Sequence, residues 1–359
     1  MKRSCVEGEE GNFPGNHDKV LTIAKEELLY MGPLVSVVIP TYNRAYSVGK
    51  AVHSVIRQTY ENLEIIIVDD GSTDNTREII ENIKDSRIVY IYQKNQRQSA
   101  ARNNGVRVAK GDLIAFLDSD DIWLPEKLEK QVKAFQSDPH IGLVTCWSKS
   151  VNVNDPDNYA INACYARNRE EFILDLLLEK VIISTSQAVI KRECFEKLGG
   201  FDPNFLLEED YDMFLRVASE DDVFCINEVL AIYYKKSGQS LCDKTAVEEI
   251  KADKELLFRK AFNNPKLPES IMRDKKRIYG ALYFHSGVNS VLFSHDSVLA
   301  RKYFLEGLRL HLLGFFKLKI VSAAMLSLLP ASVGPALINL IRKAVILTKK
   351  AVGRKDYGF

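Results

Sequence analysis

The sequence predicts an α/β fold: a mainly parallel central sheet with helices on both faces, followed by a helical C-terminal region. Three observations carry this. Short apolar runs rich in β-branched residues recur between residues 35 and 147, and each reads as a strand buried on both faces. Between them lie stretches whose apolar residues repeat at helical spacing. The connections are short, which is the pattern of βαβ units. With 359 residues, 46% of them hydrophobic, the chain can build one large domain and a smaller one.

Val35-Ser36-Val37-Val38-Ile39 opens the sheet. Ser47 stands where it can cap the next helix, in which Val48, Ala51, Val52, Val55 and Ile56 form one stripe. Residues 64–68 read as the second strand and Asp69-Asp70-Gly71-Ser72 as a turn. Residues 73–85 then read as a helix with Ile79, Ile80 and Ile83 inward. Residues 88–92 are the third strand, 99–110 the third helix and 113–117 the fourth strand. Pro125 marks a helix start, with Leu128, Val132 and Phe135 on one face, and residues 141–147 form the fifth strand. From 150 to 240 the pattern is mixed. Strands are expected at 186–190 and 223–234, helices at 169–179 and 209–219. Beyond 243 the reading is helical throughout, and no internal repeat or low-complexity segment is seen. The expected organisation is an extension at 1–30, disordered or not native, with Met31 as a candidate start; a catalytic domain at 31–240; and a helical, membrane-associating region at 241–359.

The net charge of +1 is uninformative as a whole, but its distribution is not. Residues 301–359 hold eleven Lys or Arg and two acids, leaving the remainder acidic. A basic end on an acidic body suits an anionic membrane surface, and no nucleic-acid partner is expected. Residues 320–341 carry no charge, enough for about 33 Å of helix, but Pro330 and Pro335 interrupt them and basic residues flank both sides. Two short helices in the interface are preferred over a spanning or a buried hairpin. No secretory signal is read. The six cysteines form no CxxC pair and read as reduced thiols of a cytoplasmic protein held at the inner face of the plasma membrane.

In an open α/β sheet, ligands bind beyond the carboxyl ends of the strands. There the sequence places Pro40-Thr41-Tyr42-Asn43-Arg44, then Asp69-Asp70-Gly71-Ser72, then Asp118-Ser119-Asp120-Asp121. An aromatic ring and up to five carboxylates are expected at one crevice. Such carboxylates repel one another unless a cation sits among them, and Mg²⁺ or Mn²⁺ shared with substrate phosphates is the simplest answer. Each motif also has a plain reading. Asp-Gly-Ser is common turn chemistry, and an acidic cluster can be a solvated turn. A Ca²⁺ loop at Asp118 fails because Trp123 stands where glycine is required. A third acidic group, Glu208-Glu209-Asp210-Tyr211-Asp212, suits a helix N-terminus through the macrodipole, which does not prevent one carboxylate from serving as a general base.

These residues resemble the family 2 glycosyltransferases of the GT-A fold. The resemblance runs from about 34 to 236 through Pro40-Thr41-Tyr42-Asn43-Arg44, Gln58-Thr59-Tyr60, Ala101-Arg102-Asn103-Asn104-Gly105, Phe116-Leu117-Asp118-Ser119-Asp120-Asp121, Gly199-Gly200-Phe201-Asp202 and Glu209-Asp210, in family order. It implies a Rossmann-like GT-A sheet. It implies Tyr42 stacked on a base, usually uracil, with Pro40 and Thr41 beside it, Asp70 on the base or ribose, and Arg102 on the nucleotide. Asp118 and Asp120 would form the DxD motif, with Asp118 near ribose and metal and Asp120 on the metal. Asp210 would be the catalytic base. The implied reaction moves a sugar from a nucleotide-diphosphate sugar to a hydroxyl with inversion, as opposite-face attack requires. The acceptor would be lipid-linked or a glycan, in bacterial polysaccharide or glycolipid synthesis. One departure is the segment after the last strand, Lys235-Lys236-Ser237-Gly238, which lacks a His found in many relatives; a lysine can stand in as a point charge. A sugar nucleotidyltransferase would need a Gly-rich basic loop where Pro40-Thr41-Tyr42-Asn43 stands. A non-catalytic nucleotide-sugar-binding partner would not need Asp118, Asp120 and Asp210 together.

Overall fold

The computed structural model describes residues 32–235, 245–291 and 296–311. The extension at 1–30, the uncharged stretch 320–341, Lys236 and Cys242 lie outside them. The core is one nine-stranded sheet in the order β3-β2-β1-β4-β8-β6-β9-β5, with β7 paired to β6. In chain order these are β1 (Val35–Thr41), β2 (Leu63–Asp69), β3 (Ile88–Tyr92), β4 (Leu113–Phe116), β5 (Ile122–Trp123), β6 (Ile141–Asn152), β7 (Asp155–Asn162), β8 (Val189–Lys191) and β9 (Asp222–Lys235). Pairing is parallel through β3-β2-β1-β4 and again at β6-β9. It is antiparallel at β4-β8, β8-β6, β6-β7 and β9-β5.

Alternate residues of the first strands feed two cores. Val38, Ile66, Val68, Ile114 and Phe116 enter one; Val37, Ile39, Ile65, Ile67, Ala115 and Leu117 enter the other. Helices α1 (Val48–Ile56) and α4 (Lys127–Ser137) cover the second face; α3 (Arg97–Val108), α5 (Arg169–Leu177) and α7 (Glu209–Ala218) cover the first. That is the layering expected of strands buried on both sides. Gly105 lets α3 lie directly on β1 and β2, because a Cβ there would meet the side chains of Val38 and Val68. The shorter helices are α2 (Thr76–Glu81), α6 (Arg192–Lys197) and α9 (Glu269–Arg273); the remaining C-terminal ones are α8 (Val247–Asn263), α10 (Lys275–Asn289) and α11 (Ser297–Leu310).

Several expectations need correction. Helix α2 is shorter than residues 73–85 because Thr73 is committed elsewhere: its amide donates to Asn43 Oδ1 at 2.8 Å. Ile79 faces solvent rather than the core. Ser47 occupies the N-cap position of α1, but its hydroxyl caps nothing and has no partner. The strand expected at 186–190 is cut to β8 by a 3-10 turn at Thr185–Gln187. Strands β5 and β7 had no clear signal. The cysteines are not all reduced thiols: Cys164 and Cys225 form a disulfide, while Cys146 and Cys194 are free and buried. The partners are 61 residues apart in sequence, so spacing alone could not reveal them.

Candidate active site

The loop after β1 is clamped to the loop after β2. Asn43, at φ 52°, donates its amide to Ser72 Oγ at 2.9 Å, and the Arg44 amide donates to Thr76 Oγ1 at 2.9 Å. Gly71 turns the second loop at φ +86°, a conformation that suits glycine. Pro40 and Thr41 end β1. The Thr41 hydroxyl is buried without a partner, and Tyr42 stands exposed beside it. The two aspartates that follow differ. Asp69 is structural, accepting from the Ser72 amide and the Tyr90 hydroxyl, both at 2.8 Å. Asp70 accepts from Gln93 Nε2 at 2.7 Å and the Gln96 amide at 2.8 Å through one oxygen, Oδ1.

The loop after β4 supplies three more carboxylates. Asp118 accepts from Arg102 Nη2 at 2.7 Å and from Thr185 Oγ1 at 3.3 Å. Asp120 faces Arg44 at 3.4 Å, and burial together with the Asp118 charge pushes its carboxyl up. Asp121 is buried and accepts from Ser186 Oγ at 2.6 Å; burial and Asp118 hold it well above the usual carboxylate range. Among the described residues, no three metal-capable side chains converge. The pair expected from the sequence, Asp118 and Asp120, would suit Mg²⁺ or Mn²⁺ only with phosphate oxygens and water completing the shell.

Arg102 joins this loop to the start of α7. Its Nη1 donates to Glu209 Oε1 at 2.7 Å while Nη2 holds Asp118. Burial opposes the guanidinium charge, but the two carboxylates hold it above its ordinary range. Gln98 Nε2 adds a bond to Glu209 at 2.6 Å. Next in the chain, Asp210 is half-buried and takes one bond from the Tyr211 amide at 2.7 Å. Burial, then the charges of Glu209 and Glu208, raise it well above an ordinary carboxylate. Asp212 is structural, paired with Arg216 at 2.6 Å and Lys260 at 2.9 Å.

Helix α8 fixes the approach to Asp210. Asp253 accepts from the amides of Leu206, Leu207 and Glu208 at 3.0, 2.8 and 2.9 Å. Lys254 bridges Glu179 at 2.9 Å and Glu208 at 3.0 Å. No sequence pattern marks this pair, which lies over forty residues from the loop it holds.

A cavity of about 760 Å³ opens between these parts, a size typical of ligand sites. Arg102, Asp118, Glu209 and Asp210 line it, with Thr185, Tyr211 and Lys235. Its wall does not include Pro40, Thr41, Tyr42, Asp69, Asp70, Asp120 or Asp121. The crevice of five carboxylates expected from the sequence is thus divided: Asp118 faces the cavity, Asp69 and Asp121 serve the loops, and Asp70 and Asp120 lie to the side of β1 and β2. Some motif residues prove architectural. Asn103 exchanges two bonds with the Phe201 backbone at 2.8 and 2.9 Å, and Gln58 ties Leu124 to Leu128 at 2.9 and 3.0 Å.

Comparison with known proteins places these features in context. A model of Glycosyl transferase family 2 matches residues 36–199. An uncharacterized glycosyltransferase of Nostoc is 35% identical over 181 residues, 47% of this chain and 54% of that protein. The chain thus spans little more than half the length of that relative. An Escherichia coli protein is 30% identical over 225 residues, 62% of this chain and 85% of its own. Its name is UDP-Glc:alpha-D-GlcNAc-diphosphoundecaprenol beta-1,3-glucosyltransferase WfgD. Among solved structures, Staphylococcus aureus TarS residues 1–349 in complex with UDP-GlcNAc superposes with a TM-score of 0.62 at 18% identity, covering 82% of this chain and 90% of that one. At that identity the likeness establishes the GT-A fold alone.

Proposed function

The chain belongs to glycosyl transferase family 2, and on that premise we propose that it is a metal-dependent, inverting enzyme acting on a UDP-sugar and a lipid-linked hydroxyl acceptor in cell-surface polysaccharide or glycolipid synthesis. The observation that carries this reading is the chain Asp118–Arg102–Glu209, which ties the donor-side carboxylate to the turn bearing Asp210 across one cavity. The name of the Escherichia coli relative supports UDP as the carrier and a diphosphate-lipid acceptor.

In this reading Tyr42 stacks on the base, with Pro40 and the unpartnered Thr41 hydroxyl beside it, and Asp70 takes the base or ribose through its second oxygen. Asp120, with Asp118, would hold Mg²⁺ or Mn²⁺, which neutralises the departing diphosphate when bound. Both terminal nitrogens of Arg102 are committed to carboxylates, so we assign it first to positioning Asp118, with nucleotide contact secondary. Lys235 at the cavity wall offers a point charge to the diphosphate. Asp210 takes the proton from the acceptor hydroxyl as that oxygen attacks C1. The bond from C1 to the phosphate oxygen breaks on the opposite face and its electron pair leaves with the nucleoside diphosphate. Its raised pKa suits a base working near neutrality better than an ordinary carboxylate would.

Residues 31–240 would form the donor-binding and catalytic domain and 241–359 a helical region resting on the cytoplasmic membrane face. No helix among the described residues is long and apolar enough to cross a membrane.

The test is release of nucleoside diphosphate across a sugar-nucleotide panel, with Mn²⁺, Mg²⁺ or EDTA, for wild type and Asp210→Asn. Metal-dependent release from one donor, lost in the variant, is expected. Binding with no turnover on any lipid-linked or glycan acceptor would instead favour a non-catalytic role.

A further inference from the structure

The cavity has a wall that donor chemistry does not use. Ser148 and Ser150 on β6 and Asn162 on β7 are all buried and all line it. Asn162 Nδ2 donates to both serine hydroxyls at 3.0 Å. Among the described residues neither serine proton has an acceptor, and Asn162 Oδ1 has no donor. Two O–H donors and one carbonyl are thus held in place and left unused, an arrangement that costs stability unless a ligand or water completes it.

The place of this wall in the sheet says what the ligand is. Apart from Lys235 at the end of β9, the residues assigned to the nucleotide and diphosphate lie at the ends of β1, β2 and β4. Ser148 and Ser150 stand on β6, two strands beyond β4, about 10 Å at the usual strand spacing of ~4.8 Å; β7 continues along the edge of β6 that β8 begins, while β9 takes the other edge. Seen from the nucleotide end, these serines lie past Asp118, on a wall of the cavity that Asp118 and Asp210 also line. The groups that approach from there must carry hydroxyls that both donate and accept, which is what a pyranose ring presents. Tyr233, paired with Ser150 across β6 and β9, and Ile182 supply apolar surface for the C–H face of such a ring.

We propose that Ser148, Ser150 and Asn162 form the subsite for the acceptor's terminal sugar ring, so that the acceptor is a glycosylated one and not a bare alcohol or protein side chain. This rests on the glycosyltransferase reading and narrows its acceptor class. A site built to hydrogen-bond ring hydroxyls discriminates strongly against a ligand lacking them.

The experiment loads the full chain with UDP and Mn²⁺ and titrates benzyl glucoside, galactoside, mannoside and N-acetylglucosaminide, observed by saturation-transfer NMR, with benzyl alcohol as control. At least one glycoside is expected to bind while benzyl alcohol does not. Asn162→Leu should weaken that glycoside at least tenfold and Ser150→Ala several-fold, with UDP affinity within twofold of wild type as the check on folding. The inference is overturned if no glycoside binds, if both variants bind it as wild type does, or if Asn162→Leu weakens a UDP-sugar but not UDP, which would give the wall to the donor sugar. Failure of wild type to bind UDP would instead sink the glycosyltransferase reading, and this one with it.

Discussion

Along β1, β2 and β4, the residues assigned to the donor stand at the end of a parallel strand or in the turn after it. Around Asp210, by contrast, the cavity is assembled from β6, β7, β9, a 3-10 turn and helices α7 and α8, which meet from distant parts of the chain. In the first region a short motif fixes both the backbone turn and the side chain that it presents, as Asn43 and Ser72 do for the loop carrying Tyr42. In the second, no segment holds its own geometry. Asp210 owes its position to Arg102 from α3 through Glu209, and to Asp253 and Lys254 from α8. Removing a donor-side group should therefore cost mainly the contact it makes, while disturbing the far side should misplace the chemistry.

The largest effect is expected at the point where the two regions meet. Asp210→Asn removes the base and keeps the shape, so kcat should fall by about 10³, within the usual range for general-base loss. The melting temperature should change little or rise, since a half-buried carboxylate beside Glu208 and Glu209 is an unfavourable charge. A fall of less than tenfold in steady-state transfer would remove Asp210 from the chemistry. Next comes Asp120→Asn, expected to lower kcat about 10²-fold by weakening charge neutralisation at the leaving group. UDP affinity measured by calorimetry should lose its dependence on Mn²⁺. Retained metal dependence would place the ion elsewhere.

Asp253→Ala tests the far side directly, because Asp253 is too far along the chain to belong to any donor motif. Three loop amides lose their acceptor, at a cost of about 1–3 kcal/mol. That corresponds to a drop of about 5 °C in melting temperature for a domain of this size. Misplacing Asp210 should lower kcat by about 10-fold or more, with KM for the donor nearly unchanged. A variant that melts lower but keeps full kcat would show that the clamp serves stability alone. Tyr42→Ala is the counterpart on the donor side: KM for the UDP-sugar should rise about tenfold, as expected for loss of base stacking worth about 1–3 kcal/mol, with kcat held. If kcat and KM moved together in both variants, the contrast between the regions would fail.

The same contrast explains what was legible in the sequence. Strands β1, β2 and β4 are buried on both faces, so their apolar runs are continuous and their ends are easy to find. The residues after them are contiguous, which is why Pro40, Tyr42, Asp70, Asp118 and Asp120 could be named. Strands β5 and β7 have no legible pattern: β5 is two residues long, and β7, Asp-Pro-Asp-Asn-Tyr-Ala-Ile-Asn, is polar and carries a proline, which suits an edge and not a core strand. Ser148, Ser150 and Asn162 look unremarkable singly; only the pairing of β6 with β7 makes them a cluster. Asp253 and Lys254 sit in an ordinary charged helix, where nothing separates them from solvated residues until the loop at 206–208 is seen against them. The division of Asp69 from Asp70 was also hidden, since it depends on the Tyr90 hydroxyl reaching across from β3.

The smallest effect probes how the far side sets the charge of its base. Burial comes first in raising Asp210, followed by the charges of Glu209 and Glu208. A base with a raised pKa is ionised only above that value, so kcat/KM should fall as pH drops through it, on an acid limb above the ordinary carboxylate range. Glu208→Gln removes one neighbouring negative charge. It also leaves Lys254 with Glu179 as its remaining carboxylate partner of the two it bridges, so the local potential becomes more positive. Both changes favour the ionised form of Asp210. The acid limb should therefore move to lower pH, by a fraction of a unit to about one unit for a neighbouring charge partly screened by its own ion pair. The limb should stay in place in Tyr42→Ala, whose ring touches only the donor side. A limb that moved upward in Glu208→Gln, or moved equally in both variants, would mean that the titrating group is not Asp210 and that the walls around it do not tune the base.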